Sequence, residues 1–337
     1  AEFGDMPAWT FDDTTGQYYL HLFLPEQPDL NWNNPRVVRE FDHIMHFWLD
    51  RGVDGFRIDV AHGLVKNMLM PDNPQRFPVM ADMSPRQVFA AFEHRYDLDQ
   101  AGTKEIYRRW RTIADAHDAL LVGEVYLRDA DAAKVGRYVS GQDGLHRAFS
   151  FAPMHAPWDP AALWNTFRDA LDAAPVDLSW AMSSHDDPRA PTRFGGGPLG
   201  RERALAYATL LTTLPGLAFL YQGDELALED AEIAPGDRQD PAGTRNTNQA
   251  DGRDAVRTPM PWTPGPGLGF SSFTPWLSAP GRDDAETVVV QRDTPGSPML
   301  RFRALLAVRR GLELRGPLEW LSARADPVIA FARTGMI

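Results

Sequence analysis

The sequence predicts an α/β fold, in which parallel strands alternate with helices in a sheet or a barrel. Three observations predict it. Helical and strand patterns alternate along most of the 337 residues, as in repeated βα units. Several strand candidates are continuous apolar runs, the kind of strand that is buried on both faces. Each of these runs ends in polar or charged residues, where the strands of a parallel barrel carry their functional groups.

The first elements are bounded by clear start and stop signals. Residues 17–23 are rich in aromatic and apolar side chains and are a strand candidate. Asn34 followed by Pro35 is typical of an N-cap and a first helical residue. Apolar residues then recur at helical spacing until a glycine ends the helix. Residues 52–60 follow as a strand, with one apolar face and one face that ends in an arginine and a carboxylate.

The later elements continue the alternation. In chain order they are a helix at 103–117, strands at 119–126 and 146–154, a helix at 163–173, a strand at 178–183, a helix at 201–214, a strand at 216–220, a final helix around 299–308 and short strands after 316. Residues 61–100 and 235–280 are rich in proline or in proline and glycine, and we predict long excursions there. Such segments are more often functional or disordered than neutral.

Composition narrows the possible functions. The length of 337 residues suits one large α/β barrel or two ordinary domains. A formal charge of −12 disfavours binding to nucleic acid and leaves a neutral or cationic ligand. The absence of cysteine excludes thiol catalysis, disulfides and thiolate metal sites, and it fits a cytoplasmic protein, the localisation we expect. The longest apolar stretch is broken by Pro215, so we predict no membrane span.

Three carboxylates end three of the strand candidates: Asp59, Glu124 and Asp186. Their polar companions are Arg57, Tyr126 and His185. Two carboxyl groups that flank a bond are what glycoside hydrolysis requires, and a third can stabilise the positive charge of the transition state. Residue by residue, a structural reading remains open, because Arg57 and Asp59 could form a structural ion pair and Glu124 could lie at a solvated strand end.

Several short motifs resemble, in the right order, those of the alpha-amylase family, glycoside hydrolase family 13. Gly55–Asp59, Gly123–Val125 and His185–Asp186 are similar to three of its characteristic stretches. Gln27–Asn31 resembles the stretch typical of its oligo-1,6-glucosidase and alpha-glucosidase branch, Tyr221–Glu225 the end of the last barrel strand, and Arg257–Trp262 a loop of that branch. Each motif is weak alone, but their order over most of the chain is specific.

The resemblance implies a role for each residue. Asp59 would be the nucleophile, Glu124 the general acid and then the general base, and Asp186 the residue that holds substrate hydroxyls and stabilises the transition state. The mechanism would be a double displacement with retention, for which the two carboxyl groups should lie about 5–5.5 Å apart. Glu124 must begin protonated, so we expect burial and the neighbouring carboxylates to raise its pKa.

Other residues are assigned through the same resemblance. Arg57 and His185 would bind the sugar. Arg189 matches a frequent arginine of the family and is a further substrate-binding candidate, although it could equally be a structural ion-pair partner. Asp187 is the alternative to Asp186, but the His-Asp pairing selects Asp186. The resemblance implies no cofactor, and we assign no metal ligand in this chain.

The implied activity is that of an exo-acting alpha-glucosidase on short α-linked gluco-oligosaccharides. The resemblance implies a preference for α-1,6 bonds, because Val60 directly follows the nucleophile, and a preference for α-1,4 bonds remains the alternative. A glucosyl-transferring or trehalose-forming relative is one alternative. A non-catalytic sugar-binding or scaffold relative is another. The sequence does not indicate the oligomeric state.

The resemblance also predicts how the chain is divided. The family's first motif, at the end of the third barrel strand, has no match here. Residues 1–34 would therefore be the tail of the domain inserted after that strand, 35–315 would be strands 4 to 8 of a (β/α)8 TIM-type barrel, and 316–337 the start of a C-terminal antiparallel β domain. On this basis we expect a fragment of a larger enzyme, poorly folded and poorly active alone.

Overall fold

The computed structural model describes residues 7–80, 82–83, 85–127, 132–141, 143–245, 252–277, 282–312, 314 and 318–333. The chain forms two compact units. The first unit comprises Ala1–Phe149 and Asp240–Gly252, and the second comprises Ser150–Gln239 and Arg253–Ile337. The predicted division at residues 34 and 315 stays a prediction.

The strands are short and follow the predicted order. They are β1 (Trp9–Asp12), β2 (Gln17–Leu20), β3 (Gly55–Ile58), β4 (Leu120–Gly123), β5 (Arg147–Phe149), β6 (Leu178–Ala181), β7 (Leu217–Phe219), β8 (Glu319–Trp320) and β9 (Phe331–Ala332). β2 to β7 are each shorter than the run that predicted them, because the pattern includes the polar residues that leave the strand end, and β1 was not predicted.

The helices lie between these strands. They are α1 (Pro35–Leu49), α2 (Pro85–Ala90), α3 (Ala101–Ala116), α4 (Ala132–Val139), α5 (Ala152–His155), α6 (Pro160–Ala173), α7 (Ala190–Arg193), α8 (Gly197–Thr213), α9 (Pro241–Thr244), α10 (Val288–Asp293) and α11 (Pro298–Gly311). The short helix α2, inside the predicted excursion 61–100, has no helical signal that we recognised in the sequence. In the part of the chain that the structure describes, no helix is long and apolar enough to cross a membrane.

Parallel strands form the sheet of the first unit. β3 pairs with β4 and β4 pairs with β5, both in parallel, and α3 lies on the crossover between β3 and β4. Gly55 lies against Leu120 in this register, and a Cβ atom there would clash with the Leu120 main-chain carbonyl. The predicted start of α1 is confirmed, because the Asn34 side chain accepts a hydrogen bond from the N–H of Arg36 and Pro35 is the first helical residue.

The second unit repeats the pattern. β6 and β7 are parallel, and the helices α6 and α8 supply core residues around them. Trp180 of β6 is buried, and its ring lies edge-on to Phe167 of α6, with the centroids 5.5 Å apart. The indole N–H donates to the carbonyl of Pro215 at 2.6 Å, so this buried donor is satisfied. The predicted short strands after residue 316 are confirmed as the antiparallel pair β8 and β9.

Candidate active site

The ends of β3 and β4 bring two of the predicted carboxylates together in the first unit. Asp59 follows β3, and Glu124 follows β4. The parallel ladder continues past both strands, since the N–H of Glu124 donates to Ile58 and the N–H of Ala61 donates to Glu124, both at 2.9 Å. Adjacent parallel strands deliver their carboxyl ends to the same edge, so the two side chains meet there.

Arg57 bridges the two carboxylates. Its Nη1 donates to Oδ1 of Asp59, and its Nη2 lies 3.0 Å from Oε1 of Glu124. The two acids differ in exposure, because the side chain of Asp59 is 70% exposed and that of Glu124 only 14%. The site therefore offers one open carboxylate and one enclosed carboxylate, with a single guanidinium between them.

The main chain at Val60 holds Glu124 from the other side. The Val60 N–H donates to Oε2 of Glu124 at 3.0 Å. Val60 has a φ of +42°, in the left-handed region that a β-branched residue rarely adopts. Such strain persists only where the surrounding fold enforces it, and it is concentrated at functional sites. The two oxygens of Glu124 thus have separate donors, Arg57 and a main-chain N–H whose direction is fixed.

A buried ion pair anchors the loop that follows β3. Lys66 is 6% exposed, and its ammonium group donates to Oδ1 of Asp29 and to the carbonyl of Gly63. Oδ2 of Asp29 accepts from the N–H of Leu22 at 2.8 Å. Asp29 belongs to the Gln27–Asn31 motif, so this motif is tied to the loop that carries the nucleophile candidate. No local pattern indicates this pair, whose members lie 37 residues apart.

Two buried side chains restrict the loop that follows β3. Tyr107 of α3 donates its hydroxyl hydrogen to the carbonyl of Ala61. Burial lowers the pKa of His62 to about 4, so its imidazole is neutral at physiological pH. Nδ1 of His62 is buried and has no hydrogen-bond partner among the described residues. These contacts leave little freedom to the chain directly after Asp59.

In the second unit, Asp186 lies against two arginines. Nη1 of Arg253 and Nη2 of Arg257 are each 2.8 Å from Oδ1 of Asp186. Nε2 of His185 is 3.4 Å from Oδ2 of Asp186, and Nε of Arg257 donates to the carbonyl of His185 at 2.8 Å. The arginines therefore fix both the carboxylate and the main chain beside it.

Neither of these two arginines was predicted as a site residue. Arg257 opens the Arg257–Trp262 motif, which could have drawn attention to it. Arg253 carries no motif signal, but it lies four residues earlier, across the single turn Asp254–Val256. This spacing lets both guanidinium groups converge on one carboxylate.

Asp187 makes a different set of contacts from Asp186. Its Oδ2 accepts from the hydroxyl of Ser184 and its Oδ1 lies beside Nε2 of His155, both at 3.0 Å. The Ser184 hydroxyl oxygen in turn accepts from the N–H groups of Asp186 and Asp187, both at 3.1 Å. Asp187 thus serves the turn that presents Asp186, which favours Asp186 as the functional carboxylate.

Arg189 is 1% exposed and bound to the main chain. Its guanidinium donates to the carbonyl of Gln222 at 2.6 Å and to that of Val256 at 3.0 Å. Its own N–H donates to Oδ1 of Asp230 at 2.8 Å. These contacts favour the structural alternative, in which Arg189 supports the turn between Arg253 and Arg257. A substrate-binding role for Arg189 stays a prediction.

Asp224 belongs to the Tyr221–Glu225 motif and is buried. Its Oδ2 accepts from the N–H of Tyr221 at 2.8 Å. Burial raises the pKa of Asp224 to about 6, although the hydrogen bonds from Ser183 and Tyr221 and the charge of Arg189 act in the opposite direction. Within the described ranges, no group of three or more histidine, aspartate and glutamate side chains is arranged to hold a metal ion.

Comparisons with known proteins agree with the motifs. The family described as the alpha-amylase catalytic domain matches residues 1–314. A probable alpha-glucosidase of Rhizobium meliloti (strain 1021) is 36% identical over 337 residues, which cover 97% of this chain and 61% of that protein. An oligo-1,6-glucosidase of Heyndrickxia coagulans is 30% identical over 345 residues, covering 91% of this chain and 60% of that protein.

A solved structure agrees as well. The crystal structure of an alpha-glucosyl transfer enzyme, XgtA, superposes with a TM-score of 0.89 at 35% identity, covering 97% of this chain and 62% of that one. The chain therefore spans about three fifths of the length of these relatives.

Proposed function

Because the chain belongs to the alpha-amylase catalytic domain family, glycoside hydrolase family 13, whose fold is a (β/α)8 barrel, we propose that it acts as a retaining alpha-glucosidase. Its substrates would be short α-linked gluco-oligosaccharides, cleaved from the non-reducing end. The observation that carries this proposal is the pair Asp59 and Glu124, which end adjacent parallel strands and share Arg57. The names of the alpha-glucosidase and oligo-1,6-glucosidase relatives support the substrate class.

The exposures support the division of roles between the two acids. Asp59 is open to a substrate and is the nucleophile, whereas the enclosed Glu124 is the acid and base. In the first step, Asp59 bonds to the anomeric carbon while the bond from that carbon to the leaving oxygen breaks. The leaving oxygen takes the proton of Glu124. In the second, Glu124 takes a proton from water, whose oxygen attacks the same carbon and releases Asp59.

The contacts of Glu124 bear on where its proton resides. The Val60 N–H occupies Oε2 and belongs to a main chain that has little freedom. The acidic proton is therefore carried by Oε1, the oxygen that Arg57 contacts. A proton on Oε1 weakens the contact of that oxygen with Arg57, whose contact with Asp59 does not depend on it.

The family resemblance assigns the remaining roles to residues of the second unit. Asp186, held by Arg253 and Arg257, holds substrate hydroxyls and stabilises the positive transition state, and His185 binds the sugar. Val60 favours α-1,6 over α-1,4 bonds, by about 1–3 kcal/mol at most for one pocket contact.

Glucosyl transfer is the second candidate function. It is favoured by the 35% identity with the alpha-glucosyl transfer enzyme XgtA. Both reactions share the covalent intermediate and differ only in whether water or a sugar hydroxyl attacks it. With maltose or isomaltose as substrate, free glucose as the main product supports hydrolysis, and trehalose or longer oligosaccharides support transfer.

Glucose release from an aryl α-glucoside tests the proposal, measured on the 337-residue chain or, if that chain is inactive alone, on a longer chain that contains it. Asp59→Asn should lower the rate by about 10³-fold or more, because amide nitrogen and oxygen are poor nucleophiles. Asp172→Asn, at an exposed aspartate of α6, is the matched control and should leave the rate unchanged. Full activity in Asp59→Asn would refute the assignment. Maltose binding without turnover would support the non-catalytic sugar-binding alternative.

A further inference from the structure

A pair of exposed histidines lies in the first unit, apart from the residues assigned above. His46 is in the last turn of α1, and His117 is the C-cap residue of α3. Nδ1 of His46 and Nε2 of His117 are 3.3 Å apart, and the ring planes are inclined by 60°. Two ring nitrogens from different helices thus face each other at the protein surface.

The fold fixes this approach. Asp42, one turn before His46, is buried and accepts a hydrogen bond from Nε of Arg109 on α3 at 2.6 Å. Phe41 of α1 stacks on Trp110 of α3, with the ring centroids 5.9 Å apart. Because these contacts hold the two helices together, binding an ion does not require two separate backbone segments to be brought together.

The geometry matches that of two ligands on one metal ion. Zinc–nitrogen bonds of about 2.0–2.1 Å, at a tetrahedral angle, place two nitrogens about 3.3–3.4 Å apart. The same separation also allows a hydrogen bond between the two rings when no metal ion is bound. Either ring nitrogen of a neutral histidine can bind a metal.

We propose that His46 and His117 form a surface binding site for Zn²⁺, or for another divalent ion that prefers imidazole, with water completing the coordination. The bound ion links the end of α1 to the end of α3. With two protein ligands rather than four, the site binds zinc with a Kd on the order of 1–100 μM. The proposal does not depend on the proposed glucosidase activity.

His43 provides a matched control. It lies one turn before His46 on the same helix, its side chain is 75% exposed, and its Nδ1 is 3.7 Å from a carboxylate oxygen of Glu40. Replacing it therefore removes an exposed imidazole of α1 but leaves the facing pair intact.

Calorimetric titration of ZnCl₂ into the 337-residue chain at pH 7.5 tests the site. One ion per chain should bind in the micromolar range, and His46→Gln and His117→Gln should each weaken that binding at least tenfold. His43→Gln should change it less than twofold. Far-UV circular dichroism checks that the variants fold. Zinc should also raise the thermal midpoint of the parent chain but not that of His46→Gln.

Three results would overturn the proposal. No binding up to 1 mM zinc would show that the two rings form only a hydrogen bond. An equal loss in His43→Gln would show that any surface histidine suffices. Unchanged binding in both His46→Gln and His117→Gln would place the ion elsewhere.

Discussion

Replacing the buried Asp224 by asparagine should stabilise the protein at neutral pH and change its stability little at acid pH. Asp224 is 2% exposed, and burial raises its pKa to about 6 from a value of 3.8. Because the folded-state pKa lies above the unfolded one, protonation favours folding. That contribution is complete below about pH 3.8 and is lost as the pH rises through about 6.

The difference between the two pKa values sets the size of the effect. It corresponds to about 3 kcal/mol of stability that is lost once Asp224 is ionised in the folded protein. Asparagine has the same shape and no charge, and its Oδ1 can still accept from the N–H of Tyr221. Its amide group fits the other contacts less well, at about 1 kcal/mol. We therefore expect a net gain of about 2 kcal/mol at pH 8 and a loss of about 0.5 kcal/mol at pH 4, where the unfolded chain is already partly ionised at this position.

Urea unfolding followed by tryptophan fluorescence measures this at pH 4, 6 and 8. The quantity of interest is the free energy of unfolding of Asp224→Asn minus that of the parent chain, which should rise by about 2.5 kcal/mol between pH 4 and pH 8. Asp172→Asn, at an exposed aspartate paired with Arg168, should differ by less than about 0.5 kcal/mol at every pH. A difference for Asp224→Asn that does not vary with pH would refute the reasoning.

Three further substitutions test the surroundings of the site. Lys66→Met should lower the free energy of unfolding, measured in urea, by about 3–5 kcal/mol, because Asp29 is left without its buried partner. Adding Asp29→Asn to Lys66→Met should recover part of this loss, and full additivity of the two substitutions would contradict the pairing. Val60→Gly should be about 1 kcal/mol more stable than Val60→Ala in thermal unfolding, because only glycine accepts a φ of +42° without strain. An alanine variant more stable than the glycine variant, which is the usual order, would show that the strain is absent. Arg257→Lys should lower kcat/KM about 10–100-fold, because lysine cannot replace both the contact with Asp186 and the contact with the carbonyl of His185. An unchanged kcat/KM would show that Arg257 has no role in the reaction.

The sequence predicts the frame of the site because that frame follows from local patterns. Asn34 and Pro35 mark the start of α1, and short apolar runs mark β3 and β4. Once these strands are taken as parallel neighbours, Asp59 and Glu124 must meet at one edge. Arg57 beside Asp59 follows from a spacing of two residues on one face of a strand.

The remaining contacts depend on tertiary structure. Arg253 and Arg257 reach Asp186 across 67 and 71 residues, from a segment without periodicity. Lys66 meets Asp29 across 37 residues, and neither residue carries a sign of burial in its local sequence.

The left-handed conformation of Val60 could not be predicted from the sequence, for a different reason. A β-branched residue is the last one that local propensity would place there. Its conformation is enforced by the surrounding fold, which no local pattern records.

The most direct test of the account is to trap the covalent intermediate. A 5-fluoro-α-glucosyl fluoride reacts with a retaining alpha-glucosidase but slows the release of the sugar, so the fluorosugar stays on the nucleophile. Peptide mass spectrometry of the trapped chain should locate the sugar on Asp59, and Asp59→Asn should carry no label. A fluorosugar attached to Glu124 or Asp186, or turnover of α-glucosides with no labelled peptide, would contradict the assignment of Asp59 as the nucleophile.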